Sequence, residues 1–111
     1  MSAKIAYVAQ PIDQAYDITA WAGDVGKICG ELRTAGYHTY QPARAWATPK
    51  PPNPAELDPR LERVNGHALH NSDLLVAYLP AGVPTIGVPM EIGEALRSGL
   101  PVVVVTEARS Y

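Results

Sequence analysis

A chain of 111 residues has room for one domain with a hydrophobic core, near the lower size limit for a wound α/β sheet. Its net charge of −2 gives no reason to expect a surface for nucleic acids or other polyanions. Cys29 is the only cysteine, which excludes an intramolecular disulfide and fits a reducing compartment. The first residues lack the features of a signal peptide, and no apolar run reaches the roughly 20 residues of a membrane span. We therefore expect a cytoplasmic protein without a membrane partner.

The first part of the chain predicts two strands separated by a helix. Lys4–Ala9 is short, apolar and β-leaning, and Pro11 follows it. Apolar residues then recur three and four positions apart from about Ile18 to Thr34, the pattern of an amphipathic helix. Gly36 is suited to end that helix, and Tyr37–Tyr40 follows as a second strand. Three glycines inside the helix predict close packing against the sheet: Gly23, Gly26 and Gly30.

A long loop and a second helix follow. Residues 41–57 contain four prolines between positions 49 and 54, and prolines stiffen loops and do not serve in inner strands. Loops of this length in small domains are usually functional or disordered, and Trp46 favours the functional interpretation. The Asp58-Pro59 pair is a helix-start signal, and the helix is expected to end near Asn71.

The last third of the chain predicts strand, helix and strand. The run LLVAYL after Asp73 is continuously apolar, as in a parallel strand buried on both faces. A helix is expected from near Pro89 to Gly99, followed by a buried strand at Pro101–Val105. Right-handed crossovers then predict one α/β domain over the whole chain, Rossmann-like (flavodoxin-like) with three layers. Its sheet would have four parallel strands in the order 2-1-3-4.

Glu91 is the residue best placed for chemistry. It lies where the Gly/Pro-rich loop after the third strand becomes a helix, and ligands of open α/β sheets bind beyond the carboxyl ends of the strands. A position in the first helical turn, beside free N–H groups, would stabilise an ionised carboxylate. From the residues alone, an ordinary first-turn acid is as good an explanation as a catalytic one.

The segment around Glu91 resembles the nucleoside 2-deoxyribosyltransferase family and its hydrolase relatives. The family signature is an Asn/Ser/Ala-Asp pair opening a strand, then Gly-x-x-x-Glu-(Ile/Leu)-Gly-x-Ala, then a small or polar turn. This sequence has Ser72-Asp73, the run GVPMEIGEA from Gly87 to Ala95, and the turn SGLP from Ser98. An aromatic residue also stands on the first strand of family members, where this chain has Tyr7.

The resemblance implies an activity and roles for several residues. Glu91 would be the nucleophile that attacks the anomeric carbon of a nucleoside, displaces the base and forms a glycosyl-enzyme ester. Tyr7 would orient Glu91, although a core tyrosine is nearly as good an interpretation. Asp73 would help to organise the site, and a strand cap is an equal alternative.

Two positions differ from the transferases. Asn65 stands where they carry an aspartate that contacts the base, and Thr85 stands where many have another acid. The resemblance therefore does not predict the base. The candidates for substrate binding are Gln10, Asp13, Arg44, Trp46, Asn65, Thr85, Gly87 and Met90. For Trp46, a side chain that only holds the proline-rich loop against the domain is a slightly better interpretation. Gln14 and Lys50 are weaker candidates for the sugar and for a phosphate.

The sequence predicts no metal and no cofactor. The histidines have no acidic or thiol partner in register, and neither a dinucleotide fingerprint nor a phosphate-binding lysine loop occurs. The expected activity is hydrolysis of the N-glycosidic bond of a nucleoside 5′-monophosphate or nucleoside. Base exchange by a deoxyribosyltransferase and a non-catalytic nucleotide-sensing module are the alternatives. An exposed sheet edge would favour a homodimer or larger homo-oligomer.

Overall fold

The computed structural model describes residues 4–10, 22–42, 59–80 and 87–106. These residues form strands and helices in strict alternation. In chain order the elements are β1 (Lys4–Ala9), α1 (Ala22–Thr34), β2 (Tyr37–Tyr40), α2 (Pro59–His70), β3 (Leu74–Leu79), α3 (Gly87–Arg97) and β4 (Val102–Thr106).

The four strands form one parallel sheet in the order β2-β1-β3-β4, which confirms the predicted topology. Tyr7 is the register partner of Tyr40 on one side and of Leu75 on the other. The predicted bounds of β1, β2 and β3 agree with the structure. Parallel strands need crossover connections, and each pair of consecutive strands is separated by a described helix.

Two apolar clusters cover the two faces of the sheet, so that the domain has three layers. One cluster joins β1 and β3 to α2 and α3 through Tyr7, Leu75, Leu69 and Ala95, among others. The other joins the opposite face to α1: Val8, Tyr78, Val25 and Cys29. The central strands are buried because helices cover both of their faces.

Glycines with positive φ follow two helices. Gly36, after α1, has φ of 95°, as the sequence predicted, and Gly99, after α3, has φ of 74°. After α3, the N–H of Leu100 donates to the carbonyl of Ala95 at 2.9 Å, and Gly99 donates to Leu96 at 3.2 Å. This is the Schellman arrangement, which satisfies carbonyls at the end of a helix.

Three predictions about these elements are wrong. Helix α3 begins at Gly87 rather than near Pro89. Pro89 can be its third residue because N–H groups in the first turn have no partner inside the helix, so the N–H that proline lacks would form no helical hydrogen bond there. Strand β4 is not buried: it is an edge strand, and Val103 and Val104 are each 48% exposed. Close packing at the α1 glycines is also not seen, since a Cβ added at Gly23, Gly26 or Gly30 would meet none of the described residues within 4 Å.

Some predictions fall outside the described residues. These are the start of α1 before residue 22, the proline-rich loop from residue 43 onwards and the Asp58 cap. Within the described residues, no helix is long and apolar enough to cross a membrane.

Candidate functional site

The centre of the candidate site is a contact between Tyr7 and Glu91. Tyr7 lies on β1 with only 1% of its surface exposed, and its hydroxyl is hydrogen-bonded to the Glu91 carboxylate. Burial raises the pKa of Tyr7 far above its ordinary value, and the negative charge of Glu91 and the hydrogen bond raise it further. Tyr7 is therefore a neutral hydroxyl that donates to the carboxylate.

Glu91 is the fifth residue of α3, and no acid stands in the first turn of that helix. The predicted first-turn position is thus wrong, because α3 begins two residues earlier than expected. The influence of a helix terminus on a charge falls off within about one turn, so the tyrosine hydroxyl is the more important local donor. The side chain is half-buried, and its Oε2 atom is buried from solvent.

Tyr40 is a member of the site that sequence reasoning missed. Its ring centroid lies 5.3 Å from that of Tyr7, with a tilt of 35° between the rings. Its hydroxyl donates to Oδ1 of Asn65 on α2 at 2.8 Å. Burial raises the pKa of Tyr40, and the charge of Glu91 adds to that effect. Two tyrosines from adjacent strands therefore lie close to one carboxylate.

Asn65, a predicted substrate-binding residue, thus contacts Tyr40, the register partner of Tyr7. The side-chain amide oxygen of Asn65 accepts a hydrogen bond from the Tyr40 hydroxyl, and the residue is half-buried. Tyr40 could have been predicted only from the register between β1 and β2, in which Tyr40 is the partner of Tyr7. That register depends on how two strands dock, which apolar periodicity does not specify.

Asp73, predicted to organise Glu91, lies at the other end of the sheet. Its Oδ2 atom accepts a hydrogen bond from the N–H of Ile5 at 2.8 Å. The N–H of Asp73 in turn donates to the carbonyl of Ile5 at 2.8 Å. These bonds join the amino ends of β1 and β3, whereas α3 follows the carboxyl end of β3. The structure therefore shows Asp73 in the role of the alternative, a cap at a strand junction, at the opposite end of β3 from the helix that carries Glu91.

Three further predicted residues lie near the carboxyl ends of the strands or on α3. Gln10 follows β1 directly and is 6% exposed, and Met90, beside Glu91 in the chain, is 67% exposed. Gly87 is the first residue of α3. The other predicted residues lie outside the described part of the chain: Asp13, Gln14, Arg44, Trp46, Lys50 and Thr85.

A separate open cleft of about 570 Å³ lies at the outer edge of the sheet and does not include Glu91. It is lined by Arg33, Gly36, Tyr37, His38, Thr39 and Gln41. We place the candidate site at Glu91 rather than in this cleft, because the described residues that line the cleft include no carboxylate or thiol. Among the described residues, no group of three or more His, Cys, Asp or Glu side chains is placed to hold a metal ion.

Three solved structures resemble this one over most of the chain. A conserved protein from Enterococcus faecalis has 29% sequence identity and a TM-score of 0.67, with coverage of 93% of this chain and 63% of that one. A 2-deoxyribosyltransferase from Bacillus psychrosaccharolyticus has 16% identity and a TM-score of 0.75, with coverage of 96% and 75%. A 2-deoxyribosyltransferase from Leishmania mexicana has 14% identity and a TM-score of 0.67, with coverage of 95% and 65%.

The fold is that of the 2-deoxyribosyltransferases. The chain spans less than two thirds of the length of the Enterococcus and Leishmania proteins. No protein-family model and no curated protein matches the sequence. In this chain the helix that follows the third strand carries Glu91, and the first strand carries Tyr7.

Proposed function

We propose that this chain transfers the deoxyribosyl group of a nucleoside, with Glu91 as the nucleophile. The observation that carries the proposal is the buried Tyr7 hydroxyl bonded to the Glu91 carboxylate. A carboxylate that is held by a neutral donor keeps one oxygen in a defined direction. That is what attack on a sugar carbon requires.

The reaction consists of two displacements at C1′ of the sugar. An oxygen of Glu91 bonds to C1′ as the bond from C1′ to the base nitrogen breaks, and the base leaves with the electron pair and gains a proton. A nitrogen of a second base then bonds to C1′ and loses its proton to solvent, and the ester bond breaks so that Glu91 is a carboxylate again. Each displacement passes through a transition state of oxocarbenium character, as in retaining glycoside hydrolysis.

Transfer is favoured over the hydrolysis expected from the sequence, because the two named structural neighbours are both 2-deoxyribosyltransferases. Hydrolysis is the same chemistry with water as the second nucleophile. The proposed ligand is a small nucleoside or nucleotide rather than a nucleic acid polymer. The proposal also includes the cytoplasmic location and the homo-oligomeric state that the sequence led us to expect.

The test uses purified protein, a panel of deoxyribonucleosides and their monophosphates, and a second free base, with products separated by chromatography. A new nucleoside indicates transfer, and free base with free sugar indicates hydrolysis. Glu91→Gln keeps the side-chain size and removes the charge, and it should abolish both transfer and hydrolysis. Mass spectrometry of the intact protein should show a deoxyribosyl adduct on the wild type and none on Glu91→Gln. Base release that persists in Glu91→Gln would reject the mechanism. Binding without turnover of any substrate would favour a nucleotide sensor.

A further inference from the structure

A second cluster of polar side chains lies at the opposite end of the sheet from Glu91. Helix α2 ends at His70 before β3 begins, and Ser98 directly follows α3 before β4 begins. Both helix ends therefore lie at the amino ends of these strands. A cavity of about 150 Å³ is lined by residues from both helix ends, among them His70, Ser72 and Ser98.

Ser98, His70 and Glu94 form a chain of contacts beside this cavity. Nδ1 of His70 lies 3.4 Å from Oγ of Ser98, and Nε2 lies 3.0 Å from Oε1 of Glu94 on α3. Catalytic hydrogen bonds are often as long as the first of these before a substrate binds. No acidic residue lies within one turn of His70 on α2, so the docking of α3 against α2 supplies the carboxylate.

The Glu94 carboxylate fixes which imidazole nitrogen of His70 can act as a base. The hydrogen bond from Arg97 and its charge lower the pKa of Glu94, so Glu94 is ionised at neutral pH and only accepts hydrogen bonds. Nε2 of a neutral His70 must therefore carry the proton, which leaves Nδ1 as an acceptor for the Ser98 hydroxyl. A nucleophile within reach of a base that a third group orients is the arrangement used in covalent catalysis.

We propose that Ser98 is a nucleophile for small acyl esters, with His70 as its general base and Glu94 as the positioning residue for His70. Oγ of Ser98 bonds to the carbonyl carbon of the ester, and its proton passes to Nδ1 of His70. The bond from that carbon to the ester oxygen then breaks, and the leaving alcohol takes the electron pair and the proton from His70. The product is an acyl ester of Ser98, and the imidazole is neutral again.

The surroundings of Ser98 define the class of ester. A cavity of about 150 Å³ is smaller than the roughly 300–1,000 Å³ of pockets for drug-sized ligands, so it suits a short acyl chain such as acetyl. The N–H groups of Ser98, Gly99 and Leu100 all donate to carbonyls of α3, and they would not stabilise the negative oxygen of a tetrahedral intermediate. The reaction therefore needs an activated ester, and the acyl form should accumulate because its hydrolysis lacks the same donors. This inference does not rest on the chemistry at Glu91.

The experiment treats the chain with p-nitrophenyl acetate, follows the release of nitrophenolate by absorbance and locates the acetyl group by peptide mass spectrometry. The wild type should release a burst of nitrophenolate and carry acetyl on Ser98, and Ser98→Ala should show neither. His70→Gln should slow the burst by roughly 100-fold or more. His67→Gln is the matched control, an exposed histidine three positions earlier on α2, and its burst should equal that of the wild type. Glu94→Gln should lower the limiting rate of the burst and leave the half-saturating ester concentration unchanged.

The location of the acetyl group in the wild type tests the proposal without any substitution, and thermal unfolding shows whether each variant is folded. Acetyl confined to lysine or tyrosine side chains of the wild type would overturn the proposal. So would a burst that persists in folded Ser98→Ala, or one that His67→Gln slows as much as His70→Gln does.

Discussion

Tyr7 and Tyr40 are register partners on adjacent strands, and their rings lie 5.3 Å apart with a tilt of 35°. Of these two tyrosines, Tyr7 is hydrogen-bonded to Glu91, whereas Tyr40 donates to Asn65. The two tyrosines therefore have different roles. Tyr7 orients the Glu91 carboxylate, and Tyr40 links strand β2 to helix α2 through its hydrogen bond to Asn65.

Tyr7→Phe should lower turnover while leaving the fold intact. The substitution removes the donor to Glu91, and a hydrogen bond to a charged group contributes about 1.5–3 kcal/mol, which corresponds to a roughly 10- to 150-fold decrease in kcat. Steady-state kinetics on the best substrate from the panel measures the effect. An unchanged kcat in a folded Tyr7→Phe protein would contradict the positioning role.

Tyr7 should also make the protein less stable at alkaline pH. Because burial and the nearby Glu91 raise the pKa of Tyr7 above its ordinary value of 10.0, the folded state binds the phenolic proton more tightly than the unfolded state does. This contribution is complete below pH 10 or so and is lost as the pH rises further. Chemical denaturation between pH 8 and 11 should show a steeper loss for wild type than for Tyr7→Phe. Parallel curves would contradict this assignment.

Tyr40 and Asn65 should be energetically coupled. Each single variant, Tyr40→Phe and Asn65→Ala, breaks the 2.8 Å hydrogen bond, and the coupling free energy of such a bond is about 0.5–1.5 kcal/mol. A double-mutant cycle on the free energy of unfolding measures it. Strict additivity would mean that the bond contributes nothing in solution.

Glu94 should contribute stability at neutral pH that acid removes. It accepts from Arg97 one turn later in α3 and contacts His70 of α2, with Nε2 and Oε1 3.0 Å apart. The hydrogen bond from Arg97 and its charge lower the pKa of Glu94, and His70 adds to this. A lowered carboxyl pKa gives stability that is present at neutral pH and is lost as the pH falls through that pKa. The Tm difference between wild type and Glu94→Gln should therefore be largest near pH 7 and shrink in acid; a constant difference would exclude this cause.

Two glycine substitutions should have opposite signs. Gly99→Ala forces a side chain into φ of 74° and should destabilise the protein by about 1–2 kcal/mol. Gly26→Ala lies inside α1, where none of the described residues comes within 4 Å of the added Cβ, and should stabilise the protein by about 0.5–1 kcal/mol. Denaturant unfolding of both variants is the measurement, and a loss of stability in Gly26→Ala would show that α1 is more crowded than the fold indicates.

Much of the architecture was predictable from local patterns. The apolar run of β3, the helix spacing of α1 and the glycine after it depend on residues that are close in the chain, and the structure agrees with them. The topology followed because the handedness of crossovers leaves few alternatives. The start of α3 was predicted two residues too late because proline is typical of the first position of a helix. The third position, which Pro89 occupies here, also accepts a proline.

By itself, the sequence determined which segments are strands and helices, their order in the sheet and the position of Glu91 after the third strand. The tertiary structure decided the contacts that the sequence did not predict. Tyr40 and Asn65 are separated by 25 positions, and Ile5 and Asp73 by 68, so their contacts depend on strand register and helix docking. The physical reason is that the periodicity of apolar residues indicates which face of a helix or strand is buried. It does not indicate the position of one element along its neighbour, and that position determines which side chains are in contact.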